Sequence, residues 1–331
     1  MEIIIGLIII AIGSFCQSSS YVPIKKVKEW SWESFWLLQG VFAWLVFPLL
    51  GALLGIPQGS SLFDLWGTGG APMSIFYGIL WGVGGLTFGL SMRYLGVALG
   101  QSIALGTCAG FGTLFPAIFA GTNLFEGNGL ILLLGVCITL SGIAIIGYAG
   151  SLRAKNMSEE EKRAAVKDFA LTKGLLVALL AGVMSACFAL GLDALAGGVE
   201  GLYAGLPVIF LVTLGGFLTN AVYCLQQNIA NKTMSDYAKS NVWGNNLIFC
   251  ALAGVLWYMQ FFGLEMGKSF LTESPVLLAF SWCILMALNV TFSNVWGILL
   301  KEWKGVSTRT ITVLITGLVV LIFSLVFPNL F

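Results

Sequence analysis

Hydrophobic positions in this chain neither alternate nor recur every third or fourth residue. They run on without a break, and polar residues are confined to the gaps. Ten runs stand out: Ile3–Val22, Phe35–Ile56, Pro72–Met92, Val97–Ala120, Gly129–Ala149, Gly174–Leu192, Tyr203–Leu225, Val242–Leu264, Pro275–Leu299 and Ile311–Phe327. A bilayer core of about 30 Å needs about 20 apolar residues in a helix, and each run reaches or approaches that length. Spanning β-strands would alternate lipid-facing with lumen-facing residues, which these runs do not. The pattern predicts an all-α membrane protein of ten transmembrane helices.

Composition narrows the function classes. Charged residues are 9% of the 331, against roughly 25% in soluble domains, so most of the chain must face lipid or other helices. A net charge of +1 provides no bulk field for nucleic acid. Without any histidine, Ser-His-Asp and Cys-His nucleophiles, H-E-x-x-H zinc sites and histidine proton relays are excluded. The seven cysteines all fall in apolar runs without CxxC spacing, as expected of core thiols rather than metal ligands. No GxxxxGK[ST] signature is present, so ATP is not the expected driver. The expectation is a protein with no catalytic residues, no metal, no cofactor, no nucleic-acid partner and no obligate protein partner. Glu2 replaces the basic start of a cleaved signal, so the first run is expected to stay as a span.

Basic residues predict orientation. If the connection after the first run is cytoplasmic, that side holds fifteen of the 16 Lys and Arg, and the other side holds only Lys268. The positive-inside rule then puts both termini outside. The stretch SSSYVPIKKVKEWSWESFW (18–36) lies on the basic side. Its lysines are read as anchors and its tryptophans as an interfacial belt. Ser31 is placed to cap the second helix, and Glu33 suits its positive first turn. Lys25, Lys26, Glu33 and Arg93, the last at the end of the third run, are the candidates for a cytoplasmic gate.

The longest connection divides the chain into residues 1–150, a linker at 151–173 and residues 174–331. The linker contains SEEEKRAAVKDF, with capping-box spacing at Ser158 and Glu161, and is expected to hold a short helix. The flanking halves are weakly self-similar. GILW from Gly78 returns as GVLW from Gly254, FGLSM as FGLEM, and SFC at Ser14 as SAC at Ser185. Five spans per half is odd, so two such halves insert with opposite orientation. The expected architecture is a five-plus-five inverted repeat, a transporter plan with its site near the midplane.

Several stretches carry a resemblance. YVPIKKVKEWSWE at Tyr21–Glu33, WGVGGLTFGLSMRYLG at Trp81–Gly96, LWYMQFF at Leu256–Phe262 and LLKEW at Leu299–Trp303 resemble the bacterial L-rhamnose–proton symporter family, within the drug/metabolite transporter superfamily. The resemblance covers essentially the whole chain. It implies ten helices in an inverted repeat, alternating access, and import of a deoxysugar with protons across the bacterial cytoplasmic membrane.

A sugar site needs neutral hydrogen-bonding groups for hydroxyls and aromatic faces for C–H edges. The spans contain Gln17, Gln39, Gln101, Asn220, Gln260, Asn289 and Asn294 beside Trp81, Trp257, Tyr258 and Trp296, and polar side chains in a membrane interior face the bundle or a cavity. The substrate candidates are Trp257, Gln260, Tyr258, Gln17, Gln101, Asn289 and Trp81, with Trp257–Gln260 the best cluster. Proton coupling calls for a carboxylate in the path. None lies centrally in a run, which leaves Glu265 and Asp193 at the outer ends of the eighth and sixth. The expected function is monosaccharide import, L-rhamnose first, with protons. The rivals are a transporter of the same fold for another small polar metabolite, an uncoupled facilitator, and a membrane-embedded sugar sensor.

Overall fold

The computed structural model describes residues 2–56, 61–64, 69–95, 97–155, 170–195, 205–300 and 303–330. Among them are ten helices long and apolar enough to cross a membrane, and no strand. In chain order they are α1 (Glu2–Ser19), α2 (Trp32–Gly55), α3 (Ala71–Leu95), α4 (Val97–Phe119), α5 (Gly127–Lys155), α6 (Leu171–Asp193), α7 (Leu206–Ala230), α8 (Ser240–Lys268), α9 (Pro275–Leu299) and α10 (Thr308–Val326). The all-α, ten-span expectation holds. Several helices outrun their apolar segments: α2 starts at Trp32 and α5 continues to Lys155. A backbone in lipid satisfies its N–H and C=O groups internally until it reaches polar surroundings, so the helix outlasts the run. The linker helix expected around Ser158 and Glu161 lies outside the described residues.

The chain forms two compact units, each drawing helices from both halves of the sequence. The first comprises residues 1–82 and 191–270, so it contains α1, α2, the start of α3, α7 and α8. Its helices meet on glycines. Gly13 of α1 has no room for a Cβ, which would come within 2.6 Å of the Met259 carbonyl, and Gly263 and Gly267 of α8 press on Ile9, Gly13 and Gly6 in return. Gly263 and Gly267 are spaced as GxxxG, the pattern that brings helix backbones together where no hydrophobic effect drives association. The start of α3 packs on α7 the same way, through Gly78 and Gly82 against Val212, Gly215 and Thr219.

The second unit comprises residues 83–190 and 271–331. Its α9 buries a nearly unbroken series from Phe280 to Thr291. Trp282 of α9 fills the space left by Gly112 on α4, donates its indole N–H to the Cys108 carbonyl at 3.3 Å and stacks on Phe188 at 5.7 Å. Gly142 of α5 and Gly317 of α10 make a further close crossing.

Candidate functional site

The second helix departs from α geometry in its middle. Residues Val41–Val46 form a π-helical segment between two α-helical stretches. Single π turns inside α-helices occur frequently at functional sites, because the extra residue re-aims side chains. Within this segment Trp44 lies back over Gly40, where a Cβ would come within 2.6 Å of the indole. From that position Trp44 meets three other indoles edge to face: Trp36 at 5.7 Å, Trp81 of α3 at 6.1 Å and Trp257 of α8 at 5.9 Å. Trp81 and Trp257 are 5.7 Å apart, and Trp257 continues to Phe261 at 5.2 Å. Trp81 and Trp257 are also the two tryptophans of the repeated GxLW motif. Four helices of one unit hold this cluster, since Trp81 lies against Gly216 of α7.

The polar groups around the cluster divide into satisfied and unsatisfied. Trp36 donates to Asn220 Oδ1 at 3.1 Å, and Asn220 donates to the Gly216 carbonyl at 2.9 Å. Gln260 is buried and donates to the Trp257 carbonyl at 3.1 Å. By contrast, the Gln39 carbonyl oxygen, the Trp44 indole N–H and the Tyr258 hydroxyl are buried with no hydrogen-bond partner among the described residues. An orphaned buried group costs about 1–3 kcal/mol, and three of them on the two helices that frame the indoles fit a site completed by a ligand's hydroxyls.

Some of the predicted substrate residues lie in the first unit and others in the second. Trp81 and Trp257 meet here; on the same helix as Trp257, Tyr258 sets its hydroxyl against Gly51 of α2 and Gln260 backs onto Gly13 of α1, while half-buried Gln17, on α1 of the same unit, accepts from Ser18 at 3.4 Å. Gln101, half-buried on α4, and Asn289, buried on α9, belong to the second unit. Trp36 joins the indoles around Trp44, with Gln39 on the same helix: from sequence Trp36 is read as part of the interfacial belt and Gln39 as an in-span amide outside the substrate candidates, and Trp44 is not singled out. A π turn has no composition signal, and without it Trp44 reads as one more apolar residue.

The two acids proposed for coupling share one end of the first unit. Glu265 pairs with Lys268 at 2.7 Å, and its carboxylate rests on Gly205, the residue that opens α7. Unpaired N–H groups and the positive dipole end of a helix suit a carboxylate there. Asp193, exposed at the end of α6, interacts electrostatically with both Lys268 and Glu265. The one basic residue assigned to the outer side from sequence thus pairs with one candidate acid and attracts the other.

At the other end, the lysine–tryptophan stretch is clamped to the α7–α8 connection. Asn246 donates to the Lys28 carbonyl at 2.9 Å and accepts the Lys28 N–H at 3.0 Å, while Asn245 donates to the Lys26 carbonyl at 3.0 Å. Trp30 packs edge-on between Tyr237 and Trp243. Asp236 accepts from the Ser31 N–H at 2.7 Å, the Ser34 hydroxyl at 3.0 Å and the Lys239 ammonium at 2.7 Å. Burial would raise its pKa, but the Lys239 ammonium and the Ser31 and Ser34 donors hold it down at about 2. Ser31 does occupy the N-cap of α2, yet its hydroxyl pairs with Ser34 at 2.8 Å rather than with a backbone N–H. Of the gate candidates, Glu33 is buried and accepts from Asn231 at 3.0 Å and Thr233 at 2.8 Å, whereas Lys25 and Lys26 are exposed. The side chain of Arg93 lies outside the described residues. Asp236 was missed in the sequence because nothing in SDYAKS reveals which segment it will face.

Ten apolar spans, with a cluster of indoles beside uncharged hydrogen-bonding groups in the first unit, mark a multi-pass membrane protein. A family model described as "L-rhamnose-proton symport protein" matches residues 1–329. Curated relatives named L-rhamnose-proton symporter, from Yersinia pestis (strain Pestoides F) and Yersinia pseudotuberculosis serotype O:1b, are each 33% identical over 335 residues, covering 97% of this chain and 95% of the relative. The chain belongs to the L-rhamnose-proton symport protein family and is a multi-pass protein of the bacterial cytoplasmic membrane.

Proposed function

We propose that this protein imports L-rhamnose together with protons, binding the sugar at the Trp44–Trp81–Trp257 cluster. The observation that carries the reading is the conjunction of three converging indoles with the unpartnered Gln39, Trp44 and Tyr258 atoms on α2 and α8. A 6-deoxysugar presents C–H faces and a methyl group that suit indole surfaces, and hydroxyls that suit a carbonyl acceptor, an N–H donor and a phenol. Gln260 and Gln17, in the same unit, are further hydrogen-bonding candidates. Glu265 and Asp193 are the coupling acids, bridged by Lys268, and Glu33 belongs to the cytoplasmic closure. Protonation of either acid weakens its attraction to the ammonium, so proton binding loosens that cluster.

The test is uptake of labelled L-rhamnose into proteoliposomes with and without an imposed pH gradient. Wild-type protein should concentrate the sugar only with the gradient. Glu265→Gln should lose gradient-driven accumulation but keep counterflow exchange of labelled for unlabelled sugar, and Asp193→Asn is the parallel variant. Normal accumulation in both variants would place coupling elsewhere. Binding without flux in the wild type would make the protein a sensor.

A further inference from the structure

The second unit contains a cleft that plays no part in the transport scheme above. It lies between α4 and α5, encloses about 570 Å³, and is walled by Gly106, Gly110, Phe111, Leu114, Leu140 and Ile143 among others. From Ser102 to Ile118, both on its wall, α4 rises about 24 Å, most of the roughly 30 Å of a bilayer core.

The glycines on its wall are not explained by helix packing. A Cβ on Gly110 would meet Leu140 at 3.6 Å, and one on Gly106 would meet Leu140 at 3.6 Å and Ile143 at 3.7 Å, all ordinary contacts. Gly112 on the same helix differs, since Trp282 fills its space completely. Gly106 and Gly110 therefore hold open a space that α4 and α5 do not need for their own contact. An apolar space of this kind holds neither water nor a sugar, because neither would find its hydrogen bonds there.

Apart from Thr107 beside Gly106, the polar side chains of the wall are confined to one end. Ser102, Tyr148 and Ser151 line that end, and the Tyr148 hydroxyl accepts from Arg309 at 3.5 Å. Arg309 is exposed at the start of α10, Lys155 is exposed at the end of α5, and Arg153 stands over the Trp303 ring at 5.3 Å. An apolar slot in spanning helices, closed at one end by hydroxyls and rimmed by cations, matches an acyl chain below an anionic headgroup. Basic pockets between transmembrane helices on the cytoplasmic side bind such headgroups. We propose that this cleft is a site for one anionic phospholipid, with an acyl chain along Gly106 and Gly110 and the phosphate at Arg309. Only the choice of leaflet depends on the positive-inside orientation, and the site is independent of the sugar reading.

Native mass spectrometry of the full-length protein in detergent, with phosphatidylglycerol or phosphatidylcholine of equal chain length added, tests the site. One phosphatidylglycerol should be retained in preference to phosphatidylcholine. Arg309→Gln, at an exposed position, should weaken that retention about fivefold. Gly110→Leu should abolish it by filling the cleft, whereas Gly110→Ala should keep it. Equal retention of the two lipids would overturn the proposal. So would unchanged phosphatidylglycerol retention in Arg309→Gln, which stands even if Gly110→Leu fails to fold. A lipid-free dimer that Gly110→Leu disrupts would assign the cleft to a second copy of the chain and overturn it equally.

Discussion

Gln39, Trp44 and Tyr258 each bury a polar atom with no partner among the described residues, and that sets them apart from Asn220 and Gln260, whose amides are committed to the protein. A residue that bonds only to a ligand has a distinctive mutational signature. Tyr258→Phe and Gln39→Met remove an unsatisfied group, so thermal stability should hold or rise. L-rhamnose affinity should fall by roughly five- to 150-fold, the equivalent of about 1–3 kcal/mol for a lost hydrogen bond. Calorimetry alongside a thermal melt reads both, and unchanged affinity with lowered stability would mean that these groups serve packing. Asp236 should behave in the opposite way. Its folded pKa of about 2 lies below the ordinary 3.8, so the ionised carboxylate stabilises the clamp above the ordinary value and that contribution is lost as pH falls toward 2. Asp236→Asn should lower the melting temperature at neutral pH and flatten its decline between about pH 4 and pH 2, with sugar affinity unchanged.

At the scale of the helix, the π segment and the glycine crossings decide how side chains are presented. A π turn amounts to one residue more than the α ladder accommodates. Deleting Val41 should let α2 close into a continuous α-helix while its flanks keep their faces. The variant should insert and fold, yet lose rhamnose binding because the side chains between Gly40 and Phe47, Trp44 among them, change direction relative to the flanks. Wild-type affinity in the deletion would show that the π turn is incidental. The α1–α8 crossing is less forgiving. Gly13→Val places bulk against the Met259 carbonyl and the Gly263 backbone, both in rigid helices. Overpacking of this kind costs typically about 1–3 kcal/mol, and a lowered melting temperature in detergent would register it. The run boundaries read from composition were sound for span number but short at several ends, because hydropathy marks where side chains turn polar and not where the backbone stops.

Across the whole molecule, the internal repeat proposed from GxLW and SxC would match the helix crossings of one half with those of the other. Gly13 of α1 meets Gln260 of α8, and their repeat counterparts, Met184 of α6 and Gly84 of α3, also meet. Tyr258 of α8 presses on Gly51 of α2, and its counterpart Gly82 of α3 presses on Thr219 of α7. Matched crossings of this kind are expected of an inverted repeat. The accompanying orientation has its own test. A single cysteine in a C-terminal tag, on a cysteine-free background, should react with an impermeant maleimide in intact cells. Reaction only after permeabilisation would reverse the inner and outer assignments of Glu33, Asp193 and Glu265.

Span number, helical class and family membership were legible in the sequence because they depend on local quantities: apolar run length, the lack of alternation, and short motifs such as YVPIKKVKEW. Trp81, Trp257, Tyr258 and Gln260 could be picked out because aromatic and amide groups are rare neighbours inside a span. Whether a buried amide is spent on the protein or left for a ligand is a property of what faces it. Gln39 and Asn220 are chemically alike along the chain, and only the meeting of α2, α3, α7 and α8 satisfies one and strands an atom of the other. The same holds for Asp236, a loop acid until the α7–α8 connection reaches Ser31. Glu265 and Lys268 are helical neighbours three positions apart, but Asp193, 72 positions from Glu265 in the chain, comes under their influence only through tertiary packing. Hydropathy and propensity sum over neighbours in sequence, whereas a site is made by neighbours in space.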